Sequence, residues 1–140
     1  MGARRVDEAA LARLGAELAA SFRPPPPVVV AIRGELGSGK TTLVRAIARA
    51  LGVTEPVTSP TFALVHRYAG AATTIYHVDA YRLRGAADAA DLGLDDMLQE
   101  PDSVVLIEWP ERLREAMPAA TRRVSLDYTD DPLVRVVEIA

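Results

Sequence analysis

The chain has 140 residues, a length that predicts one domain spanning residues 1–140. Apolar residues make up 49% of it and charged residues 25%, so a disordered chain and a collagen-like repeat are excluded. The absence of cysteine excludes disulfides, thiolate zinc sites and cysteine nucleophiles. The net charge of −3 argues against a protein that holds nucleic acid by charge alone.

Nothing in the sequence predicts insertion into a membrane. The longest unbroken apolar run, residues 28–32, is far shorter than the ~20 residues that span a bilayer. Arg4, Arg5, Asp7 and Glu8 precede any apolar stretch, so the N-terminus is not predicted to be a signal peptide. We therefore expect a soluble protein of the cytoplasm with no membrane partner.

The first half of the chain predicts a helix, a buried strand and a second helix. Asp7 is suited to cap the first helix, and the prolines at 24–27 must end it. Residues 28–32 are apolar on both faces, which is typical of a buried parallel strand. A glycine-rich loop follows, and then a helix that ends at Gly52. The apolar residues at helical spacing are Leu11, Leu14, Leu18 and Phe22 in the first helix and Leu43, Ile47 and Leu51 in the second.

The second half predicts further strands and helices in alternation. Strands are expected at 62–68 and 74–80, joined by a short loop at Gly70, and at 104–107. Residues 86–98 are helical with an interruption at Gly93, and 111–117 form a short helix. Residues 122–128 and 133–139 alternate around a turn, which predicts a hairpin. The pattern indicates an α/β protein with a mostly parallel central sheet and an antiparallel C-terminal hairpin.

A phosphate-binding loop is the strongest motif in the chain. It fits the pattern G-x-x-x-x-G-K-[ST] at every fixed position, and it lies between a predicted strand and a predicted helix. In this motif the loop N–H groups converge on phosphate oxygens at a helix N-terminus, where the dipole favours anions. Its lysine is the only lysine of the chain. The residues are Gly34-Glu35-Leu36-Gly37-Ser38-Gly39-Lys40-Thr41.

Two acids could complete the site. Glu108 follows the apolar run 104–107, at the carboxyl edge of the sheet, where P-loop proteins place the carboxylate that orients magnesium. That carboxylate is usually Asp, and Glu is one methylene longer. Alternatively, Glu108 is simply the first solvated residue after a strand. Asp79 ends another strand and could contact magnesium or the attacking water, or simply cap the turn before Tyr81. On the same strand, His77 is expected to be buried and hydrogen-bonded rather than a metal ligand.

Two further features leave alternatives open. The hydroxyl-rich segment 58–61 contains Ser59 and Thr61 and is either a switch that senses the γ-phosphate or an ordinary turn. Trp109 directly follows Glu108 and is either a packing residue or an anchor at an interface.

The motifs narrow the class of protein. The chain has no Asn and no second Lys, so it lacks the N-K-x-D motif of GTPases. A small ATPase remains, alongside a small-molecule kinase and a module that acts by nucleotide occupancy alone. A kinase is disfavoured because no arginine-rich lid follows the predicted sheet.

Four segments together resemble one family, TsaE (formerly YjeE), in order and spacing. The resemblance covers nearly the whole chain and implies a three-layer P-loop NTPase fold. It also implies an ATPase, slow alone and stimulated by partners, that acts in forming N6-threonylcarbamoyladenosine in tRNA. The segments are Gly34-Glu35-Leu36-Gly37-Ser38-Gly39-Lys40-Thr41-Thr42-Leu43, Thr58-Ser59-Pro60-Thr61-Phe62, Tyr76-His77-Val78-Asp79-Ala80-Tyr81-Arg82-Leu83 and Glu108-Trp109-Pro110.

The resemblance also implies cofactors and partners. The cofactors are ATP and Mg²⁺. The partner is the TsaB–TsaD heterodimer, in which TsaD is the transferase, and tRNA is met only through that complex. ATP binding and hydrolysis would permit repeated turnover of the transferase.

Site residues follow from the same resemblance. Lys40 would bind phosphates and Thr41 with Glu108 would hold Mg²⁺, while Asp79 would act near the metal or the attacking water. Trp109 would shape the site or an interface. The family's adenine site lies between the N-terminal helix and the C-terminal hairpin. The other implied residues are Glu35, Leu36, Gly37, Ser38, Gly39 and Thr42 for the nucleotide phosphates, Glu8 and Arg135 for adenine, and Ser59 and Thr61 for the switch. No residue stands out as an arginine finger: the candidates Arg82, Arg84 and Arg112 are alternatively solvated surface charges, and a partner could supply the finger instead.

Overall fold

A computed structural model describes residues 3–22, 27–58, 64–84 and 86–140. Its centre is a seven-stranded sheet with the order β1-β7-β6-β2-β5-β4-β3. The strands are β1 Ala3–Val6, β2 Val28–Gly34, β3 Val65–Ala69, β4 Thr74–Asp79, β5 Ser103–Glu108, β6 Arg122–Tyr128 and β7 Arg135–Ile139. The helices are α1 Glu8–Ala20, α2 Lys40–Ala50, α3 Ala86–Ala90 and α4 Leu94–Gln99, with a 3-10 segment over Pro110–Ala116.

The central strands are parallel and the edges antiparallel. β2 pairs in parallel with both β5 and β6, and β4 pairs in parallel with β5. β3 with β4, β6 with β7 and β1 with β7 are antiparallel. This arrangement confirms the predicted fold class. It also brings the carboxyl ends of β2, β4 and β5 to one edge of the sheet, which is where α/β proteins bind ligands.

Two apolar cores, one on each face of the sheet, make the fold three-layered. Alternate residues of β2 belong to different cores: Val30 and Ile32 pack with α1 and α2, and Val29 packs with α3, α4 and the 3-10 segment. β2 is therefore buried on both sides, as its continuous apolar run predicts. Asp7 caps α1, because its Oδ1 accepts a 2.8 Å hydrogen bond from the amide of Ala10.

Two elements differ from the sequence-based expectation. The edge strand β1 was not predicted; it has only four residues, three of them exposed, so it carries no apolar periodicity and depends on pairing with β7. The short helix expected at 111–117 is a 3-10 segment that breaks at Arg114, whose φ is +49°. Pro110 starts that segment, but the left-handed backbone at Arg114 prevents an α-helix from propagating.

Other boundaries shift by a few residues. The strand expected at 62–68 begins at Val65, and residues 62–63 lie outside the described part of the chain, as do the prolines at 24–26. The interrupted helix at 86–98 becomes two short helices separated by Gly93, which has a left-handed φ of +77°. Across the described residues, no helix has the length and apolar character needed to traverse a bilayer.

Close packing of α1 on α2 predicts the effect of Gly15→Ala. A Cβ built on Gly15 would lie 2.6 Å from the Cβ of Ala46, which has no flexible end to move aside. We expect the variant to lose about 1–3 kcal/mol of unfolding free energy through overpacking, although alanine favours helices by about 1 kcal/mol over glycine. Urea unfolding measures this, and Gly15→Ala with Ala46→Gly should recover part of the loss. A Gly15→Ala chain that is more stable than the parent would contradict the packing.

Candidate functional site

The phosphate loop joins the end of β2 to the start of α2. Gly39 is the N-cap of α2 and has a φ of +106°, a conformation that strains any other residue. Among the described residues no side chain caps this helix, so its first N–H groups are left for a ligand or solvent. Such a helix N-terminus favours an anion.

Lys40 is buried at the mouth of this loop. Its Nζ donates hydrogen bonds to the carbonyl oxygens of Gly34 at 2.6 Å and Glu35 at 2.8 Å, and lies 4.6 Å from the ring centroid of Trp109. Burial lowers the pKa of the Lys40 ammonium, and the opposing attraction of nearby carboxylates, Glu108 first, does not restore it. A bound anion would relieve this desolvation.

Glu108 ends β5 and is also buried. Its Oε2 lies 3.5 Å from the hydroxyl of Thr41, which donates to it at the outer limit of a hydrogen bond. The same Oε2 lies 2.5 Å from Nε2 of His77. His77 is fully buried and hydrogen-bonded, as expected from the sequence.

Asp79 stands beside Glu108 in the register of β4 and β5. Its Oδ1 accepts a 3.0 Å hydrogen bond from the amide of Tyr81, so it does cap the turn. It also lines the same pocket as Lys40 and Glu108. Burial raises the pKa of the half-buried Asp79 carboxyl, and the neighbouring charge of Glu108 raises it further. Capping the turn is therefore compatible with a role for Asp79 in the pocket.

Two pockets flank the loop. The phosphate-side pocket has a volume of about 350 Å³ and the base-side pocket about 230 Å³. The first is lined by Leu36, Gly37, Gly39, Lys40, Thr41, Thr42, Asp79, Tyr81, Glu108 and Trp109. The second is lined by Asp7, Glu8, Leu11, Gly37, Ser38, Gly39, Thr42, Pro132, Leu133 and Arg135. Both share Gly37, Gly39 and Thr42, so one elongated ligand can occupy the two.

An aromatic platform borders the phosphate-side pocket. The rings of Tyr81 and Trp109 lie 4.9 Å apart, and the Arg112 guanidinium lies 5.3 Å and 5.7 Å from their centroids. Trp109 has a left-handed φ of +58°, which directs the chain away from β5 at this point. Of the candidate arginine fingers, Arg112 stacks beside the site; Arg82 and Arg84 are exposed on the loop that follows β4.

The C-terminal hairpin holds the loop tip, a contact that sequence reasoning missed. The Tyr128 hydroxyl donates to the carbonyl of Leu36, and the Arg135 guanidinium donates to that of Gly37 at 3.3 Å. That guanidinium also lies 4.8 Å from the Tyr128 ring centroid. Tyr128 and Arg135 are direct partners across β6 and β7. The sequence predicted the hairpin but not this register, and no local pattern signals the contact with the loop.

The remaining predicted site residues divide into three groups. Glu8 and Arg135 both line the base-side pocket, as does the buried Ser38. Glu35 contributes its carbonyl oxygen to Lys40, and its side chain is exposed. Ser59 and Thr61 lie outside the described residues.

The donor set at this edge fits a magnesium ion. Thr41 and Glu108 offer oxygen atoms, which hard divalent cations prefer. Within the described part of the chain, no three His, Cys, Asp or Glu side chains form a group that could hold a metal ion. Magnesium suits such a site, because it usually binds through one or two protein oxygens together with substrate phosphates and water.

A buried parallel strand, a glycine-rich loop and a helix beginning at the loop's lysine define the P-loop class of α/β proteins. Residues 6–136 match the family model described as threonylcarbamoyl adenosine biosynthesis protein TsaE. The chain belongs to the TsaE family.

Individual relatives agree with the family match. The tRNA threonylcarbamoyladenosine biosynthesis protein TsaE of Haemophilus influenzae is 38% identical over 128 residues, 89% of this chain and 80% of the relative. The protein of the same name from Streptomyces coelicolor is 45% identical over 102 residues, 71% of this chain and 68% of the relative. The crystal structure of Bacillus subtilis YdiB superposes with a TM-score of 0.78 at 26% identity, covering 99% of this chain and 84% of that one.

The raised pKa of Asp79 predicts a pH-dependent gain in stability for Asp79→Asn. Burial holds the pKa above the ordinary 3.8, so the folded chain binds this proton more tightly than the unfolded chain. The charged carboxylate therefore reduces stability as pH rises from that ordinary value through the raised one. We expect the variant to be more stable than the parent at neutral pH, with the difference vanishing below pH 3.8.

Urea unfolding across this pH range measures the effect. Asp127→Asn, at an exposed position on β6, is the matched control. A gain for Asp79→Asn that is the same at every pH would contradict the desolvation of this carboxyl.

Proposed function

We propose that this chain binds ATP with Mg²⁺ at the phosphate loop and hydrolyses it slowly. In this proposal it acts as an accessory of a TsaB–TsaD complex that makes N6-threonylcarbamoyladenosine in tRNA. The observation that carries the nucleotide part is the meeting of Lys40, Thr41 and Glu108 at one sheet edge. The part in tRNA modification rests on membership of the TsaE family.

The two pockets suggest how ATP would lie. The triphosphate would occupy the phosphate-side pocket, with the loop N–H groups and the Lys40 ammonium as donors. The adenosine would extend into the base-side pocket between Glu8 on α1 and Arg135 on β7. Arg135 already donates to the Gly37 carbonyl, so the residue beside the base also supports the loop.

Each residue at the sheet edge has a distinct task in hydrolysis. Thr41 and Glu108 would hold magnesium, which would supply positive charge against the phosphates. Lys40 stabilises the negative charge of the transferring group, and burial makes that interaction stronger than it would be in water. Asp79 borders the pocket next to Glu108 and would orient the attacking water.

Two features of the chain support the proposed dependence on partners: the contacts of Arg112 and the net charge. Phosphoryl transfer relies on positioning and on charge stabilisation, so a site short of one cation is slow until a partner supplies it. Arg112 is engaged with the rings of Tyr81 and Trp109, at 5.3 Å and 5.7 Å. The net charge of −3 suits a protein that meets tRNA through its partners.

The test is phosphate release from ATP by the purified chain, alone and with a bacterial TsaB–TsaD pair. We expect strong stimulation by the pair. Lys40→Ala should reduce the rate on the order of 100-fold or more, and Glu108→Gln should act in the same direction. Arg49→Ala, an exposed position in the last turn of the same helix as Lys40, is the control and should keep the parent rate.

Other outcomes would contradict separate parts of the proposal. Transfer of phosphate to an added acceptor, rather than its release, would indicate a kinase. Support of tRNA modification by ADP or a non-hydrolysable ATP analogue, equal to that by ATP, would indicate a module that acts by occupancy alone. Unchanged slow turnover in the presence of TsaB–TsaD would contradict the proposed partnership.

A further inference from the structure

His77 is a polar ring buried within the sheet. It is fully buried in β4, two residues after the equally buried Ile75 and opposite Leu106 in the register with β5. Its Nε2 lies 2.5 Å from Oε2 of Glu108, and its Nδ1 has no hydrogen-bond partner among the described residues. Burying a polar ring is unfavourable unless a contact compensates for it. Glu108 is that contact.

The unpartnered Nδ1 identifies the tautomer of the ring. A proton on Nδ1 would be a buried donor without an acceptor, which is more costly than a bare ring nitrogen. The proton therefore sits on Nε2, and His77 donates it to Glu108.

The length of Glu108 explains why such a contact is needed. P-loop proteins commonly use Asp at this strand end, and Glu has one more rotatable side-chain bond. An additional bond adds rotamers that must be suppressed before the carboxylate holds one position. A donor fixed in the core of the neighbouring strand suppresses them, because the ring itself cannot move.

We propose that His77 is a positioning residue that sets the orientation of Glu108 for magnesium. It holds Oε2 beside the Thr41 hydroxyl, at 3.5 Å, and thereby keeps together the two oxygen donors offered to the cation. Sequence reasoning assigned His77 a structural role only. This inference rests on the proposed function of Glu108 as the acid that orients the metal.

The test compares His77→Leu with His77→Gln. Leucine fills the apolar space and removes the donor, while the glutamine amide can donate near the position of Nε2. The readout is ATP binding followed by the fluorescence of Trp109, the only tryptophan, which borders the pocket. Binding is measured without Mg²⁺ and across a Mg²⁺ titration. This readout does not depend on hydrolysis.

We expect His77→Leu to bind ATP without Mg²⁺ as the parent does. The Mg²⁺ concentration that gives half of the Mg²⁺-dependent change in ATP binding should be about 10-fold higher than for the parent. His77→Gln should return most of the way to the parent value. His66→Leu is the matched control, since His66 pairs with His77 across β3 and β4 but bonds to Tyr68 instead. Its Mg²⁺ response should not change.

Three results would overturn the proposal, and they can be told apart. An unchanged Mg²⁺ response in His77→Leu removes the positioning role and leaves the proposed function intact. Loss of Mg²⁺-free ATP binding in both His77 variants indicates a role in folding only. A parent chain whose ATP binding does not respond to Mg²⁺ contradicts the proposed function and this inference together.

Discussion

Burial of opposite charges at one edge of the sheet is the constraint on which this molecule depends. Lys40 and Glu108 are both buried, and burial shifts the pKa of Lys40 down and of the neighbouring Asp79 up. Each shift means that the charged form is less favourable there than in water. The fold accepts this cost at the carboxyl ends of β2, β4 and β5, where a charged ligand would offset it. Such a site is expected to trade stability for function.

The rest of the architecture keeps these charges in place. β2 is buried between two cores, so the loop that follows it starts from a rigid strand. α2 begins at Lys40 and packs closely against α1 where the small residues Gly15 and Ala46 meet. On the other side, Tyr128 and Arg135 hold the carbonyl groups of the loop tip. Strand, helix and hairpin together define the loop from three directions.

Much of the fold and of the candidate site could be predicted from the sequence, for physical reasons that differ by element. The P-loop motif and the apolar run before it are local signals, so Lys40 and Thr41 could be placed directly. Glu108 and Asp79 were found because parallel strands end at a common edge. The contacts of His77 with Glu108, and of Tyr128 with Leu36, join residues 31 and 92 positions apart in the chain, and local pattern carries no information about them. β1 was missed, and the 3-10 segment was expected as an ordinary short helix, because pairing and a left-handed residue, rather than periodicity, determine them.

The most direct measurement is a crystal structure of the chain with Mg²⁺ and a non-hydrolysable ATP analogue. We expect phosphates on the N–H groups at the start of α2, with Lys40 among their donors. We also expect the cation between the Thr41 hydroxyl and Glu108, and the adenine between Glu8 and Arg135. A nucleotide bound elsewhere, or a cation that Thr41 and Glu108 do not approach even through water, would contradict the central claim.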